Sequence, residues 1–260
     1  MMAELRRLKA VIFDLDGVIT FTARVHAAAW KEVFDEFLRN RSDQLGESFH
    51  PFDIDADYNL YVDGKPRIDG ITSFLSARHI EIPMGSRADS PGSATVWGLA
   101  TRKNELFRLK LRSLGVDVDR EAVRFVRELR SLGVSTGLAS SSKNARLILE
   151  NAGLQSLFGA VVDGIVSESL NLRGKPEPDI FIQSLKELNP HAQPRNAAVV
   201  EDAISGVEAG KKGGFGLVLG VDRQNSGKLQ SHGADWVIRS FDDVTAEQFI
   251  DVFASRAKAA

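Results

Sequence analysis

Cysteine is absent from the 260-residue chain, which excludes disulfides, thiolate metal sites and cysteine nucleophiles. That absence says little about compartment, because many cytosolic proteins hold little cysteine. An excess of either charge is missing too. With 33 basic and 35 acidic residues the formal charge is -2, which gives no global attraction to nucleic acid or to an anionic membrane. No segment approaches the ~20 apolar residues of a membrane-spanning helix, and the basic stretch Met1 to Lys9 has no apolar core of signal-peptide length. These absences predict a cytoplasmic protein with no nucleic-acid or membrane partner, and the chain is compatible with a monomer.

What the chain does have is a series of short apolar runs, at Ala10 to Phe13, Val134 to Ala139, Ala160 to Val166, Ala197 to Val200, Gly216 to Val221 and Trp236 to Ile238. Helix-like patterns lie between most of them, and this alternation predicts an α/β fold, a Rossmann-like parallel sheet core with helices on both faces. Val123, Val126, Leu129 and Leu132, at three-residue steps, predict a helix packing one face on that sheet. No Gly-x-Gly-x-x-Gly follows the first run, which removes a dinucleotide-binding reading.

More than a hundred residues separate the first two runs, against ~30 for a whole βαβ unit. An inserted helical cap is therefore expected at residues 22–114, with 1–21 and 115–260 forming the core. Thr22 to Arg39 reads as one cap helix, with Val25, Ala29, Val33 and Phe37 at i, i+4 spacing, and Thr101 to Leu114 as another. Ser42 to Tyr61 and Pro83 to Gly98, rich in Gly, Ser, Pro and Asp, read as loops with short turns. Thr245 to Ala257 reads as a terminal helix.

Four distant clusters fall at or just beyond predicted strand ends: Asp14 and Asp16 with Gly17, Ser140 to Asn144, Gly174 to Asp179, and Glu201 with Asp202. Ligands of open α/β sheets bind at the carboxyl ends of the strands, so these clusters can share one crevice. Two carboxylates there suit phosphoryl chemistry, one attacking phosphorus and the other moving protons. Taken singly, the serines could be a helix cap and Lys175 a solvated surface charge.

In order and spacing the four clusters resemble the motifs of the haloacid dehalogenase superfamily, and Phe13 to Val18, Ala139 to Asn144, Gly174 to Phe181 and Val200 to Gly206 resemble its β-phosphoglucomutase branch. The resemblance implies that Asp14 becomes an aspartyl phosphate and that Asp16 is the general acid and base. Ser140 would hydrogen-bond the transferring phosphoryl group, and Lys175 would offset its charge. A carboxylate attacking a phosphate dianion needs a cation, and Mg²⁺ suits an all-oxygen shell. Asp14, the Asp16 carbonyl, Glu201 and Asp202 are the implied ligands, through oxygen or water.

In the cap, Thr22 and His26 match positions that couple closure to the acid/base aspartate. Gly64 to Arg67 resembles a loop whose arginine holds the phosphate that does not transfer, a task suited to a planar guanidinium fork. Lys103 matches a lysine near substrate, and Ser142, Lys143 and Asn144 complete the implied substrate contacts. Phe21 departs from the family pattern, which has aspartate there, and Asp63 stands where the family can have lysine. The cap stretch Ser42 to Tyr61 is also longer than in compact mutases, so closure or sugar preference is expected to differ.

The implied activity is interconversion of β-glucose 1-phosphate and glucose 6-phosphate through an aspartyl phosphate, with a phosphorylated sugar as substrate and a bisphosphate as intermediate. Two other readings stand beside it. One is a sugar-phosphate phosphatase on the same scaffold. The other is a non-catalytic sugar-phosphate sensor, against which the intact acidic residues and Lys175 argue.

Overall fold

The computed structural model describes residues 8–259, so most of the reading of Met1 to Lys9 lies outside the described residues. The chain divides into two compact units, Met1–Phe21 with Asp117–Ala260, and Thr22–Val116. Among the described residues, the first unit holds one sheet of strands β1 (Ala10–Phe13), β2 (Ser135–Ala139), β3 (Ala160–Val162), β4 (Ala197–Glu201), β5 (Leu217–Val221) and β6 (Trp236–Ile238). Their spatial order is β3-β2-β1-β4-β5-β6 and every neighbouring pair is parallel. This is the doubly wound order, with its switch point between β1 and β4. Phe13 lies opposite both Leu138 and Val200, so the ends of β2, β1 and β4 stand level at one edge of the sheet.

The α-helices in chain order are α1 (Ala23–Leu45), α2 (Arg67–Ala77), α3 (Val96–Leu114), α4 (Arg120–Ser131), α5 (Ala145–Ala152), α6 (Gly164–Ser169), α7 (Asp179–Leu188), α8 (Ile204–Lys212), α9 (Lys228–Ser231) and α10 (Ala246–Ala259). The first three belong to the second unit and the rest flank the sheet. Residues of β1 and β4 are buried throughout, as expected when helices cover both faces of a parallel sheet.

Local chemistry sets the element ends. Asp119 caps α4 by accepting the Ala122 N–H at 2.8 Å, and the helix buries Ala122, Val123, Phe125, Val126 and Leu129. Leu132, expected on that face, lies beyond the last turn and is exposed. Phe125 serves instead, edge-on to Phe13 and Phe249. The run Ala160 to Val166 stops being strand at Val162, because Asp163 accepts the Ile165 and Val166 N–H groups and starts α6.

The helical unit departs further from expectation. Helix α1 runs on to Leu45, and its buried stripe takes in Trp30, Phe34 and Leu38 in place of Phe37. The segment read as loop between Ser42 and Tyr61 carries a π-helix at Ile54–Val62. Asp53 starts it by accepting the Asp55 and Ala56 N–H groups. Phe52 is pinned on both sides, its N–H on Asp35 and its carbonyl on Lys31, while Arg78 pairs with Asp57 at 2.6 Å. Phe52 then joins Phe34 and Phe74 in an aromatic cluster with centroids 4.2 to 5.1 Å apart.

Candidate active site

Asp14 is the first residue past β1, and its N–H continues the ladder to the Val200 carbonyl at 3.0 Å. That bond turns its side chain toward the end of β4. Oδ1 accepts from Lys175 Nζ at 2.6 Å and Oδ2 from the Asp16 N–H at 2.9 Å. Lys175 comes from the loop between α6 and α7, next to a cis Lys175-Pro176 bond, and its side chain is wholly buried. Its ammonium also donates to Glu201 Oε1 at 2.5 Å and lies 4.8 Å from the centre of the Phe181 ring.

Burial sets the electrostatics. It pushes Asp14 up to about 8, with Lys175 opposing and the Glu201 and Asp16 carboxylates adding to the rise. Burial also disfavours the Lys175 ammonium, but Asp14 and Glu201 outweigh it and hold its pKa above the usual lysine value. Lys175 is therefore a fixed positive charge, and Asp14 remains short of compensation.

Glu201 ends β4 with a fully buried side chain. Its second oxygen accepts the N–H groups of Asp202 and Ala203 at 2.9 and 2.8 Å. Both oxygens, expected to serve a metal, are thus engaged with Lys175 and the chain. Helix α8 can approach only because residue 206 is glycine; a Cβ there would fall 1.8 Å from Glu201 Oε1. The Asp202 carboxylate lies against Gly17, where a Cβ would be 1.7 Å from Oδ2 and where φ is +98°. Only glycine fits that close approach and that left-handed backbone.

Asp16 is half-buried, and its Oδ2 lies 3.4 Å from Ser140 Oγ, a long contact. Ser140 Oγ also accepts the Ser142 N–H at 3.1 Å, fixing the hydroxyl at the end of β2. Ser142 in turn accepts the Asn144 N–H. Lys143, expected to face substrate, pairs with Glu168 at 2.9 Å.

The helical unit assembles its own cluster. Lys103, almost fully buried on α3, lies 2.6 Å from His26 Nδ1 and over the rings of Trp30 and Phe107. His26 stacks on Phe107 at 4.0 Å, and its N–H caps back to the Thr22 carbonyl. Gly64 takes a left-handed φ of 70° in the turn before α2. Arg67, at the start of α2, donates to the Ala100 carbonyl and to Asn104 Oδ1 at 2.9 Å, so its fork is oriented by α3.

Sequence reading missed Arg223. It is the second residue past β5 and donates from Nε to the Gly17 carbonyl at 3.2 Å and from Nη2 to that of Val18 at 3.4 Å. Its position at the carboxyl end of a predicted strand was the available signal.

A buried carboxylate held by an ammonium, with a second carboxylate two residues on, suits phosphoryl chemistry, and the protein is an enzyme of phosphoryl transfer. Residues 8–214 match the family model of haloacid dehalogenase-like hydrolases, and the chain belongs to that family, in its β-phosphoglucomutase-like branch. It is 44% identical over 237 residues to a β-phosphoglucomutase of Mycobacterium bovis, covering 89% of each chain. To a β-phosphoglucomutase of Bacillus subtilis it is 33% identical over 241 residues, 92% of this chain and 93% of the relative. The crystal structure of a Clostridium difficile β-phosphoglucomutase superposes with a TM-score of 0.73 at 25% identity, covering 97% of this chain and all of the other. Among the described residues no helix is long and apolar enough to cross a membrane.

Proposed function

We propose that the protein interconverts β-glucose 1-phosphate and glucose 6-phosphate through an aspartyl phosphate on Asp14 and a bisphosphate intermediate. The observation that carries this reading is the fixing of both Asp14 oxygens, one by Lys175 and one by the Asp16 N–H. The likeness to β-phosphoglucomutases over 89% of the chain supports the substrate class. In the first half-reaction the phosphoryl group leaves Asp14 for the sugar O6. The bond from phosphorus to the carboxylate breaks, the bond to O6 forms, and the hydroxyl proton passes to Asp16. In the second, Asp14 attacks the phosphorus on O1 and Asp16 returns the proton to the departing O1.

Mg²⁺ fits the residues present. Among the described residues no three His, Cys, Asp or Glu side chains form a ready metal cage. One or two carboxylates, a carbonyl and water make the oxygen shell that suits Mg²⁺. The raised pKa of Asp14 marks a site short of positive charge. Asp14, Asp202 and the Asp16 carbonyl would hold the ion, with Glu201 behind them anchoring Lys175. When bound, Mg²⁺ offsets the charge of the carboxylates and of the transferring group.

Ser140 Oγ orients an equatorial phosphoryl oxygen in this scheme, and Asn144 with Ser142 shapes its loop. Arg67 binds the phosphate that does not transfer, and Lys103 with His26 serves the sugar side. Phosphorus NMR of the protein with Mg²⁺, β-glucose 1-phosphate and a trace of the 1,6-bisphosphate tests the reading. Glucose 6-phosphate with little free phosphate is the expected result. Inorganic phosphate as the main product would make the enzyme a sugar-phosphate phosphatase, and no conversion of either kind would remove the glucose assignment.

A further inference from the structure

The turn that follows Asp16 closes mostly on itself. Gly17 N–H donates to the Thr20 carbonyl, and the N–H groups of Ile19 and Thr20 both reach the Leu15 carbonyl. The Gly17 and Val18 carbonyls both accept from the guanidinium of Arg223. The same guanidinium pairs with Asp119 at 2.5 Å and covers the Phe21 ring at 4.7 Å. One side chain therefore touches the turn, the cap of α4 and the residue at which the chain leaves this unit.

Arg223 is itself held. Asp222, just before it, donates its N–H to the Ile238 carbonyl and accepts the Ser226 hydroxyl and Gly227 N–H at 3.1 and 2.8 Å. The end of β5 thus presents the fork in one orientation. Opposite it, the Asp202 carboxylate fills the space against Gly17. Gly17 thus has the acidic Asp202 against its α-carbon and the guanidinium on its carbonyl. Asp119 is doubly used, since it also caps α4, and its N–H donates to the Ile19 carbonyl at 3.0 Å. Phe21, where the family pattern has aspartate, supplies a ring face to the cation in place of a counter-charge.

We infer that Arg223 is a positioning residue, holding the segment Asp16 to Val18 so that the Asp16 carbonyl and carboxylate stay set for ion binding and proton transfer. The inference rests on Asp14 and Asp16 being the phosphoryl-transfer pair, and not on which sugar is turned over. Arg223→Ala and Arg223→Lys test it in the full chain. Mg²⁺ affinity by calorimetry, binding of beryllofluoride to Asp14 by fluorine NMR, kcat and KM for β-glucose 1-phosphate, and Tm are the readouts.

Loss of an outer contact to a metal site typically costs 10- to 100-fold, so Arg223→Ala should weaken Mg²⁺ binding and lower kcat by about that factor while KM changes little. Arg223→Lys, which keeps the charge for Asp119 but not the fork for two carbonyls, should fall between. Asp119→Asn breaks the ion pair but leaves the Gly17 and Val18 contacts, and should lower Tm more than it lowers Mg²⁺ affinity. Mg²⁺ and beryllofluoride binding within twofold of wild type in Arg223→Ala, with only Tm reduced, would overturn the inference. If Arg223→Ala does not fold, the same threshold applied to Arg223→Lys decides. Should wild type fail to convert β-glucose 1-phosphate, the glucose reading falls while the calorimetric and NMR comparisons still decide the role of Arg223.

Discussion

Replacing Lys175 by methionine keeps the bulk of the side chain and removes its charge from between two buried carboxylates. Nζ lies 2.6 Å from Asp14 and 2.5 Å from Glu201, with no exposed side-chain surface. At an effective dielectric of ~20 each contact has a gross attraction of roughly 6 kcal/mol, most of it offset by desolvation of the ions. Removing one partner of such a pair strands the others, and the expected loss of stability is about 3–5 kcal/mol at pH 8.5. The penalty must depend on pH. Without the ammonium, the folded pKa of Asp14, already lifted by burial, rises further above its unfolded value of ~4, so the folded variant holds a proton that the unfolded chain has released. Stability then falls as pH rises from about 4 toward that raised value, and the penalty should be smallest near pH 5. Urea denaturation of wild type and Lys175→Met at pH 5 and 8.5, without Mg²⁺, reads this directly. Equal penalties at the two pH values, or a loss under ~1 kcal/mol at pH 8.5, would refute the charge-balance account.

Metal binding should show the same logic from the other side. Since burial lifts Asp14 to about 8, Mg²⁺ must displace its proton below that pH, and apparent affinity should climb up to about tenfold per pH unit before levelling; calorimetry at pH 6 and 8 giving equal affinities would contradict this. Gly17→Ala puts a methyl group into the Asp202 carboxylate and a non-glycine residue at φ +98°, and Mg²⁺-dependent turnover should drop about 10- to 100-fold, against which a change under twofold would count. Arg67→Ala should cut sugar-phosphate turnover far more than turnover of acetyl phosphate, which has no second phosphate to hold; equal losses would remove Arg67 as a phosphate clamp. Burial raises the Asp222 carboxyl, but the Ser226 and Gly227 groups outweigh it and hold it below the usual value. A depressed carboxylate adds stability above its unfolded pKa of ~3.9 and loses it as pH falls through the folded value. Asp222→Asn should therefore be less stable by about 1 kcal/mol at pH 7 and approach wild type toward pH 3, and a gap in Tm that does not narrow on acidification would argue against a charge effect.

The sheet was legible because its strands are short apolar runs ended by residues with their own local chemistry. Asp163 is a clear instance, stopping β3 by capping α6. Much of the helical unit was not legible, for a different reason. The stretch before Tyr61 is polar and aperiodic, and its order comes from partners distant in sequence: Asp35 and Lys31 on Phe52, and Arg78 on Asp57. No local pattern reports such contacts. Leu132 shows the limit of periodicity, since a three-residue repeat continued past the point where the helix stopped. At the site, residue types at strand ends could be read, but their pairings could not. Lys143 meets Glu168, and Glu201 faces Lys175, because of how loops and register place them.

Those pairings bear on why the site is built with too little positive charge. Asp14, Asp16, Glu201 and Asp202 cluster at the ends of β1 and β4, and among these described residues the ammonium of Lys175 reaches Asp14 and Glu201. A fully neutralised cluster would be more stable as a fold, yet it would bind a cation weakly and leave Asp14 with nothing to gain from one. Glu201 resolves the conflict by spending its charge on Lys175 and its second oxygen on two amides. The ammonium is thereby fixed within reach of Asp14 without fully balancing it, as the raised Asp14 pKa shows. Under the proposed function a divalent ion would displace the proton that the raised pKa leaves on Asp14, and the ion together with Lys175 would let the carboxylate approach a phosphate dianion.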